Sequence, residues 1–88
     1  MQPEDIQKFL STKANGAGKY VKIDFRSRES VYGLFLTGEP DYKELSSKNF
    51  WRIVTRKNFD EFTRSSNPGL SRIFNGAAFT KLSLLTDT

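Results

Sequence analysis

The sequence predicts a mainly β domain, in which a short N-terminal helix is followed by a strongly bent, five-stranded antiparallel sheet that curls into a small barrel. Three observations carry this prediction. Five short apolar segments, separated by polar or glycine-containing turns, have strand length and strand-like alternation. Gly33 interrupts the second of them, and a glycine inside a strand marks a sharp bend or a close backbone approach. Clear helical spacing of apolar residues is confined to the first dozen residues.

The helix spans about residues 3–11. Pro3 suits a first helical position, and Glu4 and Asp5 complement the positive end of the helix dipole. Ile6, Phe9 and Leu10 fall at i, i+3 and i+4 and form one apolar stripe. A helix this short is unstable alone, so it must cap the open end of the sheet. Asn15-Gly16-Ala17-Gly18 stops it and turns the chain.

The first strand covers 19–26, where Val21, Ile23 and Phe25 alternate with Lys22, Asp24 and Arg26. Ser27 to Ser30 is a polar turn. The second strand, 31–37, is apolar on both faces. Residues 38–48 read as a polar loop in which Glu39, Asp41 and Glu44 are solvated. The third strand is 50–55. Phe59 and Phe62, at i and i+3, mark either a short helical turn or a strand start, and Ser65 to Gly69 is a loop. The fourth strand is 70–74, Asn75-Gly76 fits a tight type I′ turn, and the fifth strand is 78–85 before a frayed end.

The 88 residues suffice for one domain and not two. A domain of this size hides only roughly 60–65% of its unfolded surface, so its core is thin. The chain has no cysteine to brace that core, which favours a cytoplasmic setting or stabilisation by self-association. No apolar run is long enough to span a bilayer, and the acidic Met1 to Asp5 stretch is unlike a signal peptide. Lys and Arg total 14 against 10 Asp and Glu. A net charge of +4 permits a nucleic-acid partner, but it also falls within the ordinary solubility range of roughly 2–8 in magnitude. The eight Phe, three Tyr and one Trp are expected mainly in the core.

An enzyme is not expected. With no histidine, the usual base near neutral pH and the commonest metal ligand are missing. Without cysteine as well, zinc and iron–sulfur sites are excluded, and no metal or other cofactor is predicted. Gly16-x-Gly18-Lys19 has the wrong spacing for a phosphate loop, lacks a following Ser or Thr, and leads into a strand rather than a helix. Glu39, Asp41 and Glu44 match no calcium-loop spacing. Lys48, Arg52, Arg56, Lys57, Arg64 and Arg72 do crowd the second half among Phe50, Trp51, Phe59, Phe62 and Phe74. Base stacking beside a basic groove is a usual way to grip single strands. Alternation nevertheless puts Trp51 and Arg52 on opposite faces, so a buried Trp51 sends Arg52 outward.

The order of elements, with Val31-Tyr32-Gly33-Leu34-Phe35-Leu36 in the second strand and Ile73-Phe74-Asn75-Gly76 before the last, resembles the Sm-like family of small, SH3-like barrels. The resemblance spans about Pro3 to Leu85. Asn49 falls on the asparagine of the family's first motif, with Leu45 where an aspartate is expected and Ser47 at the base-stacking position. Gly76 falls on the glycine of the second motif, and Asn75 stands where the family has arginine. The connections before and after the third strand are longer than the family norm. The resemblance implies homo-oligomeric rings of six or seven subunits, in which the fourth strand of one subunit pairs with the fifth of the next. It also implies single-stranded RNA as a partner, with Lys48, Asn49, Arg72, Asn75 and Gly76 as the contact residues and Gly33 in a structural role. The alternative is a structural or protein-interaction module with the same barrel and no RNA.

Overall fold

In the computed structural model, residues 1–12 and 20–84 are described. Helix α1 (Pro3–Thr12) leads to strands β1 (Tyr20–Phe25) and β2 (Val31–Phe35). Helix α2 (Tyr42–Ser47) and strand β3 (Phe50–Thr55) follow. A 3-10 turn (Arg56–Asn58), helix α3 (Phe59–Ser65) and a second 3-10 turn (Pro68–Leu70) precede strand β4 (Arg72–Asn75). A third 3-10 turn (Gly76–Ala78) then leads into strand β5 (Phe79–Leu84).

The strands form one antiparallel sheet in the order β4-β3-β2-β1-β5. Among the described residues no ladder joins β4 to β5, so the sheet is open. Mainly β architecture with an N-terminal helix therefore holds. The expected third strand coincides with β3, and the second is shorter than predicted, ending at Phe35. The stop at Asn15 to Gly18 and the frayed end at Thr86 to Thr88 lie outside the described residues.

Alternation works as elementary strand geometry requires, except in β5, where a register shift opposite Asp24 and Phe25 brings Phe79 and Leu82, three residues apart, to the same face. Val21, Ile23, Trp51, Ile53, Phe79 and Leu82 turn one way and form the core with Phe35 and Ile6. Phe9 and Leu10 pack against that core from α1, so the helix closes one end of the sheet. Most of the aromatic residues are interior or lie against it. Phe35 meets Trp51 edge-on at 6.1 Å, Phe79 meets Phe25 at 5.3 Å, and Phe25 reaches Phe74 at 6.1 Å. That last contact joins β1 to β4 through side chains where no backbone ladder exists.

The opposite face carries a second apolar row. Tyr20 pairs with Leu34, and Leu34 with Val54, which is fully buried. Helix α3 covers this row, with Phe59 stacked on Tyr20 at 4.2 Å. A β2 that is apolar on both faces is thereby explained, and Phe59 lies in a helix rather than a strand. Gly33 is needed for a close approach. A Cβ there would collide with Ile53 Cγ2 on β3.

Two further expectations are corrected. Residues 38–48 are not a loop throughout, because Tyr42–Ser47 are helical. Asp41-x-x-Glu44 is a capping-box spacing that marks the start of α2. Asp41 makes no cap, since its carboxylate is bound to Arg52 instead. Nor do Asn75-Gly76 make a type I′ turn. Asn75 is extended (φ −87°, ψ 115°), and its side chain accepts from Ala77 N–H at 2.9 Å to start a 3-10 turn. A type I′ turn would reverse the chain onto its neighbour, whereas this turn carries it from one edge of the sheet to the other.

Candidate nucleic-acid interface

The structure brings four of the predicted contact residues together. Asn75 is the cross-strand partner of Phe50, so Lys48 and Asn49, which enter β3, lie beside Asn75 and Gly76, which leave β4. Arg72 does not join them. It pairs with Ile53 at the other end of β4.

Asn49 is the hub of this cluster. It adopts a left-handed backbone (φ 66°), which asparagine tolerates better than most residues. Its carbonyl accepts Gly76 N–H at 2.8 Å. Its Nδ2 donates to Met1 O at 3.0 Å, and its Oδ1 accepts the Trp51 indole N–H at 2.8 Å. The Met1 ammonium donates to the carbonyls of Gly76 (3.0 Å) and Phe79 (2.8 Å). Gly76 is buried, and a Cβ there would run into Asn49 Oδ1 and come within 2.6 Å of Ile6 Cδ1 and Trp51 Nε1. This seam ties the N-terminus, the start of β3 and the β4–β5 turn together.

Lys48 and Asn75 are exposed beside the seam. Lys48 Nζ is 3.5 Å from Glu44 Oε1, a surface pair that costs little to open. Ser47, at the position where a base would stack, is exposed and donates to Glu44 O at 2.7 Å. The cluster thus offers a cation, a carboxamide and backbone groups, and the exposed ring of Phe50, the cross-strand partner of Asn75, lies beside it.

A second feature was missed by sequence reasoning. Glu39, Pro40, Asp41, Arg52, Pro68 and Gly69 line an open cleft of about 350 Å³. Arg52 Nη2 is bound to Asp41 Oδ2 at 2.5 Å, and Nη1 donates to Ser71 Oγ at 3.4 Å. Asp41 is therefore paired, not merely solvated. With Trp51 buried, Arg52 does lie on the opposite face as alternation required, but its side chain is partly buried in the cleft rather than extended into solvent. Behind the cleft, burial raises the Tyr42 phenol above its ordinary pKa of 10.0. Its ring lies 6.0 Å from that of Trp51. Among the described residues no group of three or more His, Cys, Asp or Glu side chains is placed to hold a metal ion. Nor is any helix long and apolar enough to cross a membrane.

Comparison of the chain with protein-family models, with curated proteins and with solved structures gives no match in any of the three.

Proposed function

We propose that this chain is an Sm-like domain that assembles with copies of itself into a ring and binds single-stranded RNA. The observation that carries the reading is the strand order. It leaves β4 and β5 as the two outer strands, each with one edge that no ladder covers among the described residues. Unpaired edges invite pairing with another chain. One β4 edge and one β5 edge per subunit give a head-to-tail contact that closes into a ring when the rotation permits. The open sheet with an end-capping helix, the close approach at Gly33 and the meeting of Asn49 with Asn75-Gly76 are in keeping with it. RNA would meet the exposed Lys48 and Asn75 next to the seam.

Light scattering tests the assembly, and titration of short oligouridine and oligoadenine at two salt concentrations tests the binding. A ring of six or seven subunits and binding that weakens steeply with salt are expected. A strict monomer at high concentration sinks the assembly, and no binding at low salt sinks the RNA.

One observation favours the second reading, an assembly module without RNA. Asn49, the residue that would read a base, already has its carboxamide oxygen and nitrogen bonded within the fold. Rings that bind no RNA would establish that reading.

A further inference from the structure

The β4–β5 turn holds a reactive pair of residues in an unreactive shape. In an Asn-Gly sequence the glycine nitrogen readily attacks the asparagine side chain, because no Cβ on the glycine obstructs it. The nitrogen gives up its proton and bonds to Cγ, the Cγ–Nδ2 bond breaks, and the amine takes up a proton and leaves as ammonia. Water then opens the five-membered imide. Opening at the side-chain carbonyl gives aspartate. Opening at the main-chain carbonyl gives isoaspartate, whose backbone runs through Cγ and is one methylene longer. Asn75-Gly76 is such a pair, and Asn75 is exposed.

Three features of the fold oppose the first step. The buried Gly76 nitrogen keeps its proton, which it donates to Asn49 O at 2.8 Å. The imide closes only when Cβ and the Gly76 nitrogen are eclipsed about the Asn75 Cα–C bond, and at ψ 115° they stand more than a right angle apart. The Asn75 carboxamide oxygen accepts Ala77 N–H at 2.9 Å, which holds the side chain in that arrangement. We infer that Asn75 is a deamidation site gated by the seam, inert while Asn49 holds Gly76 and reactive when that joint opens. Local opening of this kind precedes global unfolding in many folds. The product blocks re-closure. Isoaspartate shifts Gly76 by an added methylene, where even a Cβ would come within 2.6 Å of Ile6 Cδ1 and Trp51 Nε1. The gate operates whether or not the chain binds RNA.

The test is timed incubation of wild type, Asn49→Gly and Trp51→Phe, each folded and urea-unfolded, followed by trypsin digestion and mass spectrometry. Cleavage after Arg72 and Lys81 isolates a peptide in which Asn75 is the sole asparagine, separate from the peptide carrying Asn15-Gly16. Two hydrogen bonds must open before attack, so folded wild type is expected to deamidate at Asn75 about tenfold or more slowly than the unfolded chain. Trp51→Phe removes the donor that holds Asn49 Oδ1, and Asn49→Gly removes the side chain itself. Both should raise the folded-state rate severalfold and speed hydrogen exchange at Gly76 N–H. Their unfolded rates should equal that of wild type, because Asn75-Gly76 is intact. Circular dichroism confirms that each variant is folded, and Trp51→Phe keeps a ring in the core should Asn49→Gly lose too much stability. Folded wild type reacting at Asn75 as fast as the unfolded chain overturns the protection. Folded variants that deamidate no faster than wild type overturn the gate.

Discussion

Asn49 and Gly76 fit each other at the seam. The Asn49 carbonyl accepts the Gly76 amide at 2.8 Å, and the Asn49 carboxamide oxygen fills the space that a Cβ on Gly76 would need. Gly76→Ala must therefore displace Asn49, Ile6 and Trp51 together. The expected loss is about 2 kcal/mol, typical of overpacking in a tight site. For a domain of this size that lowers Tm by roughly 8–16 °C. A thermal melt followed by circular dichroism checks it, and an unchanged midpoint would contradict the packing described.

Asn49 combines two costs that substitution can separate. Asn49→Ala removes the acceptor of the buried Trp51 indole N–H, about 1–3 kcal/mol, and puts an alanine in the left-handed region, about 1 kcal/mol more. Asn49→Gly removes the same side chain without the backbone cost. Urea unfolding should therefore find the glycine variant more stable than the alanine variant by about 1 kcal/mol. The reverse order would mean that the backbone at residue 49 is not left-handed in solution.

The ion pair at the cleft predicts an asymmetry. Asp41→Ala leaves Arg52 partly buried without its charge partner. The pair retains some solvent, so the expected cost is about 1–2 kcal/mol, below that of breaking a fully buried pair. Replacing both partners, Asp41→Leu with Arg52→Met, removes the stranded charge and should cost less than Asp41→Ala alone. Urea midpoints of the two variants decide it. A double variant less stable than the single one would count the pair as net stabilising.

Tyr42 gives the fold an alkaline limit. Below pH 10 the phenol is protonated in both folded and unfolded chains and does not affect stability. Between its ordinary value of 10.0 and its raised folded value, the unfolded chain releases the proton first. The folded state then holds more protons, so stability falls as pH rises. Tyr42→Phe has no proton to lose. The stability of wild type relative to this variant should decline above pH 10 and be constant below it. A constant difference across that range would place the phenol in solvent.

Much of the fold is legible in the sequence, because strand alternation is a local property. Val21, Ile23 and Phe25 announce β1 within a single stretch, and Ile6 with Phe9 and Leu10 announces α1. Helix α2 has no periodic signature, because six residues are too few to show a period. Its start signal, Asp41-x-x-Glu44, was readable, although the carboxylate is diverted to an arginine 11 residues away. Asn58 is similar: it precedes α3 without capping it, its side chain donating to Leu70 O at 3.3 Å instead. The β4–β5 turn departs from the type I′ expectation because Asn-Gly suits both a hairpin and an Asx-started 3-10 turn. Only the sheet order separates the two. For the site, motif resemblance named Asn49, Asn75 and Gly76, which do meet. It could not reveal that the Asn49 side chain is occupied, since its partners are an indole and a main-chain carbonyl 48 residues away.

Trp51 is the chain's one tryptophan, and its indole is bound at the point where the N-terminus, β3 and the β4–β5 turn converge. The protein therefore carries a built-in optical label on its most interdependent joint. Loosening of that joint wets the indole and reddens its emission, whether or not the strands have parted. Comparing that colour change with the loss of far-ultraviolet ellipticity shows whether the joint opens before the sheet or with it.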